Sequence, residues 1–322
     1  MRTLAAEYQA LRRRASSRYT VAPVRVLFAY VFCCLLWGST WLFIKLGLRD
    51  LPPLTFAAAR MTLAAAVLLP FAARAHFAGL RRPDWIRIAA VGLLQIGAPY
   101  ALLFAGQQWI TSGLAAVLFA TFPVWLLLFA RALLPGQPLT APKIAAALLG
   151  IAGVGILQAP AMQHLSLGAR AACGGMFIVA AAILVALANV LIRRLLAHHV
   201  PVVLTFVQIA AGAILLILLS GLLEHGRVAV WTPRAGAAVA YLAVFGTAIP
   251  YLFLFWLLPR IPVAAIGAIP LLDTTFAVFL GTVVLREPLE PTLLVGGALV
   301  FAGAALANFA GARRLETLPE SG

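Results

Sequence analysis

Charged side chains are scarce in this sequence. They make up 10% of its 322 residues, against 64% apolar ones, whereas a soluble domain carries about 25% charged and about 45–50% apolar residues. So few charges cannot cover the surface of a water-soluble protein of this length. An ordinary globular enzyme is excluded, and a bilayer becomes the expected solvent. Cysteine is also sparse. Cys33, Cys34 and Cys173 all lie in apolar runs with no CxxC pair, so they read as small buried residues and exclude a disulfide framework or thiolate zinc site. The five histidines, His76, His164, His198, His199 and His225, show no HExxH spacing, and no Walker A loop occurs. Neither a zincin-type metal nor ATP hydrolysis is expected, and no cofactor. Segment 1–26 is basic and lacks a short apolar core followed by a cleavage site. It reads as a retained cytosolic arm.

Long apolar runs are plentiful. Crossing the hydrocarbon takes about 20 residues, and runs fit at 27–48, 53–73, 88–108, 112–131, 143–159, 172–193, 202–223, 237–258, 262–284 and 291–309. This predicts an all-α polytopic membrane protein with ten transmembrane helices. The net charge of +15 is read by position. With the N-terminus inside, seventeen Lys and Arg fall in cytosolic segments and five outside, and only Lys45 and Arg60 lie within spans. That is positive-inside patterning, which places both termini in the cytoplasm, not a nucleic-acid surface.

The chain also repeats itself. "PYALLF" at 99–104 returns as "PYLFLF" at 250–255, "LTF" at 54–56 returns at 204–206, and 111–154 aligns without a gap to 261–304. Proline, tyrosine and glycine in register carry more weight than matched leucines. The expected halves are 27–159 and 172–309, followed by a cytosolic tail, 310–322. Each repeat holds five spans, an odd number, so the second copy must lie inverted in the membrane. Inverted repeats are a common basis for secondary transporters working by alternating access.

The span order and motifs resemble the drug/metabolite transporter superfamily, of the EamA-like kind. The first span has "WGSTWLFIKLG" at 37–47, and the second pairs Pro53 with Arg60. The fourth carries a mid-span Pro123 and ends in Gly136, Gln137, Pro138, Leu139, with Gln137 where glutamate is usual. The ninth has Glu287, with Arg286 replacing the glycine and Asp273 where the mid-span proline falls; Pro270 is one turn earlier. The resemblance implies a bacterial inner-membrane permease that exports or exchanges small metabolites, often amino acids or related compounds, with proton or other ion coupling. A polytopic enzyme or scaffold stands as the alternative, although the clustered acids and histidines of a membrane transferase are missing.

Within the spans, Asp273 is expensive unless paired or protonated, and Arg60 is its expected partner. They form either a static pair or a substrate and coupling site. Trp37, Trp41, Tyr100 and Tyr251 are candidates for lining a cavity, or else interfacial anchors. Pro99, Pro123, Pro250 and Pro270 interrupt helix hydrogen bonding and mark helix breaks or gates. Lys45 and Glu287 are candidate gate or helix-end charges. Gln95, Gln107, Gln108, Asn189 and Asn308 are expected to bond between helices. Gly150, Gly153, Gly296, Gly297 and Gly303 mark close packing, within the chain or across a homodimer. Lipid and a small-molecule substrate are the other expected partners.

Overall fold

The computed structural model describes residues 23–75, 80–110, 112–157, 159, 168–285 and 291–316. These residues are helical almost throughout. The helices are α1 (Pro23–Gly47), α2 (Pro53–Arg74), α3 (Arg82–Gly106), α4 (Ser112–Phe119), α5 (Phe122–Leu133), α6 (Ala141–Leu157), α7 (Ala169–Leu196), α8 (Pro201–Leu223), α9 (Pro233–Leu257), α10 (Val263–Leu285) and α11 (Pro291–Glu316). Five of them, α2, α3, α7, α8 and α9, are long and apolar enough to cross a membrane, and five further apolar helical stretches run through α1, α4–α5, α6, α10 and α11. Large apolar side chains such as Phe28, Leu148 and Ile214 point outward, each more than half exposed. A helix that is apolar on its outer face as well as its inner one is at home in lipid.

Prolines set where the helices begin. Pro53, Pro83, Pro201 and Pro233 each occupy the first turn, where a missing N–H costs nothing. Thr232 caps α9 by accepting from the Ala235 amide. The first turn of α2 is capped from another helix. Glu224, at the end of α8, accepts from the Leu54 and Thr55 amides at 2.8 and 2.7 Å and from Thr55 Oγ1. A carboxylate there also meets the positive end of the helix dipole. Nearby, Asp50 accepts from Thr232 Oγ1 and forms an ion pair with Arg234.

The packing repeats as the sequence does. α2 lies against α8 and α6 against α11, each helix meeting its own repeat counterpart. The contact of α1 with α10 is matched by that of α7 with α5, and that of α1 with α9 by that of α7 with α3. The backbones of α6 and α11 approach closely. A methyl built on Gly153 would stand 2.7 Å from the Gly296 carbonyl oxygen, and one on Gly303 would stand 2.8 Å from the Ala146 carbonyl oxygen. Shifting either pair by 150 residues gives the other. Glycine here lets helix backbones touch, so these residues are committed to packing within the chain.

Candidate functional site

Two helices widen at corresponding places. A π turn spans Leu93–Gly97 in α3 and another spans Val244–Ala248 in α9, and Pro99 and Pro250 follow them by the same interval. In an α-helix the carbonyl of residue 246 would accept from the amide of residue 250. Proline has no amide proton, so the Gly246 carbonyl lacks that donor. Inside a bilayer such a carbonyl must find another donor. Two side chains supply one: Arg60 Nη2 donates to it at 2.9 Å and Trp37 Nε1 at 3.2 Å. Arg60 Nε donates to Thr247 Oγ1 at 2.8 Å in the same turn.

Pro123 and Pro270 behave differently. Pro123 follows a true interruption, with Ala120 and Thr121 forming a turn between α4 and α5. Thr121 Oγ1 donates back to the Leu118 carbonyl. Pro270 lies inside α10, which runs through it unbroken, and Thr274 Oγ1 donates to its carbonyl.

Around these features lies a cavity of about 140 Å³, bounded by α1, α2, α3, α4, α5, α7, α9 and α10. About 150 Å³ admits a benzene-sized guest. Arg60, Trp37, Tyr100, Tyr251, Pro270 and Asp273 all line it. Arg60 is only 2% exposed. Its guanidinium sits 5.1 Å from the centroid of the Tyr100 ring, with Nη2 also 3.5 Å from that hydroxyl. Trp37 meets Tyr251 edge to face at 5.5 Å. The two repeat-related tyrosines thus stand on one cavity. The described hydrogen bonds of Arg60 go to Thr247, Gly246 and Tyr100; Asp273 shares the cavity and accepts from Thr274 Oγ1 at 3.3 Å. At another wall Asn189 Nδ2 donates to Gln95 Oε1, so these amides join α7 to α3 as expected of interhelical polar residues, and both also face the cavity.

Trp41 and Lys45 lie on α1, but their side chains fall outside the described residues, as does Glu287. Cys33 and Cys34 are buried and Cys173 is partly buried, and all three are free thiols. Gly246 and Thr247 were not anticipated as site residues. The signal was present in "VFGTAIP": a glycine four residues before a proline, within an apolar run.

The comparisons with known proteins agree with this architecture. Two stretches, 24–158 and 172–309, each match the EamA-like transporter family. A Bacillus subtilis (strain 168) protein, the uncharacterized transporter YoaV, is 24% identical over 90% of this chain and 99% of its own length. A probable terminal-alkyne amino-acid exporter of Streptantibioticus cattleyicolor is 29% identical over 88% of this chain and 93% of its own. The uncharacterized inner membrane transporter YedA of Escherichia coli (strain K12) is 29% identical over 86% and 89%. A solved crystal structure superposes with a TM-score of 0.77 at 22% identity, covering 91% of this chain and 99% of that one, which establishes the shared fold.

Proposed function

The chain belongs to the EamA-like transporter family, and from that premise we propose that it exports or exchanges small metabolites, such as amino acids or related compounds, across a bacterial inner membrane by alternating access. Ten spans form two inverted repeats, 27–159 and 172–309, with the arm 1–26 and the tail 310–322 both cytoplasmic. A central cavity bounded by helices of both repeats supports this reading most directly. Arg60 reaches from the first repeat to the widened turn of the second within it. Two homologous halves that exchange conformations would expose such a cavity to each side in turn. The similarity to a probable terminal-alkyne amino-acid exporter and to an uncharacterized inner membrane transporter favours the same substrate class and location.

Transport is driven by an ion gradient or by exchange, and the protein is not an enzyme. Asp273 is the carboxylate that carries the proton in this reading, since an ionised acid within a span is costly and such groups are functional by default. Uptake into proteoliposomes, with and without an imposed proton gradient, tests both points. Gradient-stimulated accumulation of an amino acid is expected, and Asp273→Asn abolishes the stimulation. Wild-type pH dependence that survives in Asp273→Asn removes that residue as the proton carrier.

A further inference from the structure

Arg60 has more donors than its neighbours use. Nε is taken by Thr247 Oγ1 and Nη2 by the Gly246 carbonyl, whereas Nη1 has no hydrogen-bond partner among the described residues although the residue is buried. The residue lines the central cavity, whose other walls are mostly apolar and aromatic. A guanidinium stays charged in any protein environment. The leftover N–H groups therefore carry positive charge in a place of low polarity, and leaving them unmet is unfavourable until an acceptor arrives. The two bonds to the widened turn of α9 hold the guanidinium plane fixed, and the Tyr100 ring lies against it. The open nitrogen is thus positioned before any ligand enters.

We infer that Arg60 Nη1 is a carboxylate subsite, and that the transported molecule is a small carboxylic acid whose apolar body rests against Tyr100, Trp37 and Tyr251. This rests on the transporter reading and adds to it the group by which the substrate is held. A carboxylate oxygen accepts from the one open nitrogen in a short charge-assisted hydrogen bond and matches its single charge. A phosphate monoester, with nearly two charges, would find only one guanidinium nitrogen open. Aromatic faces suit an apolar body, and their polar edges, the Trp37 indole and the tyrosine hydroxyls, lie on the same cavity.

The test compares acids with their own amides on the full-length protein in lipid nanodiscs. The probes are leucine and leucinamide, phenylalanine and phenylalaninamide, and 3-phenylpropionate and 3-phenylpropionamide, followed by isothermal titration. For at least one pair the acid is expected to bind about 10- to 100-fold tighter than the amide, the range of one charge-assisted hydrogen bond. Arg60→Gln should erase that preference, while Asp50→Asn, at a residue away from the cavity, should retain it. Equal binding of acid and amide by the wild-type protein overturns the subsite, as does an unchanged preference in Arg60→Gln or the absence of binding by every pair. Should Arg60→Gln fail to fold, the wild-type comparison decides alone. Counterflow uptake measured separately judges transport itself, so the subsite can fall while the transporter reading stands.

Discussion

Arg60 of the first repeat donates to the carbonyl of Gly246 in the second at 2.9 Å. Residue 250 is a proline, which offers that carbonyl no amide from one turn on. An amide at that position would claim the same carbonyl along the helix axis. One imino acid therefore converts a stretch of ordinary helix into an acceptor for a cation from another helix. The binding wall and the helix geometry are linked through a single backbone oxygen.

Replacing Pro250 with alanine restores the competing amide. Proline is disfavoured inside a helix by about 3 kcal/mol relative to alanine, so Pro250→Ala should leave thermal stability unchanged or raised. The restored amide then competes with Arg60 and Trp37 for the Gly246 carbonyl, and the initial uptake rate should drop by at least about tenfold, the effect of about 1.4 kcal/mol. Melting temperature and proteoliposome uptake, measured on one preparation, check the prediction. A more stable protein with full uptake would separate the turn from function.

Outside the spans, Asp50 offers a pH test. Hydrogen bonds from Arg234 and then Thr232 hold its carboxyl below the ordinary value of 3.8. A depressed carboxyl contributes stability that is complete above the unfolded pKa and fades as pH falls through the folded one. Relative to Asp50→Asn, the wild-type protein should melt higher by a constant margin at neutral pH, and the margin should close below pH 3.8. Arg234 is 46% exposed, so added salt should narrow the margin at every pH. A margin that widened on acidification would contradict the assignment.

The helices were legible because lipid forces continuous apolar runs, and α2 at Pro53–Arg74 coincides with the run read at 53–73 to within a residue. The repeat was legible through Tyr100 and Tyr251, whose shared motif places both on one cavity. Less legible was what Arg60 would touch. Asp273 was the obvious countercharge by type, but what Arg60 meets depends on how α2 is rotated against α9 and α10, and hydropathy carries no phase information for helices that are apolar all round. The π turns were hidden for a related reason. Proline announces a missing hydrogen bond, yet the sequence does not say whether the helix will widen, as at Pro250, break, as before Pro123, or continue, as at Pro270.

Gly153 and Gly303 should respond alike to substitution. A methyl at Gly153 would meet the Gly296 carbonyl oxygen at 2.7 Å, and one at Gly303 the Ala146 carbonyl oxygen at 2.8 Å. Backbone cannot rotate away as a side chain can, so α6 and α11 must part. Gly153→Ala and Gly303→Ala are each expected to destabilise by about 1–3 kcal/mol. Gly155, on the same helix, has nothing within 4 Å of its added methyl. Gly155→Ala should be neutral or stabilising by up to about 1 kcal/mol. Denaturation in mild detergent ranks the three.

The inversion of the two repeats rests on parity, and it can be tested at two equivalent positions. Gln137 ends the fourth expected span and Glu287 ends the ninth, 150 residues later in the same motif. If five spans separate them, one end faces the cytoplasm and the other the outside. Single cysteines at 137 and 287, in a background with Cys33, Cys34 and Cys173 replaced, should react with a membrane-impermeant maleimide from opposite sides. The basic residues agree with that assignment: Arg131 and Lys143 flank position 137 on the side that the positive-inside rule assigns to the cytoplasm. Labelling of both from one face would mean that an even number of crossings separates them. The halves would then be parallel, and alternating access by exchange between inverted halves would be ruled out.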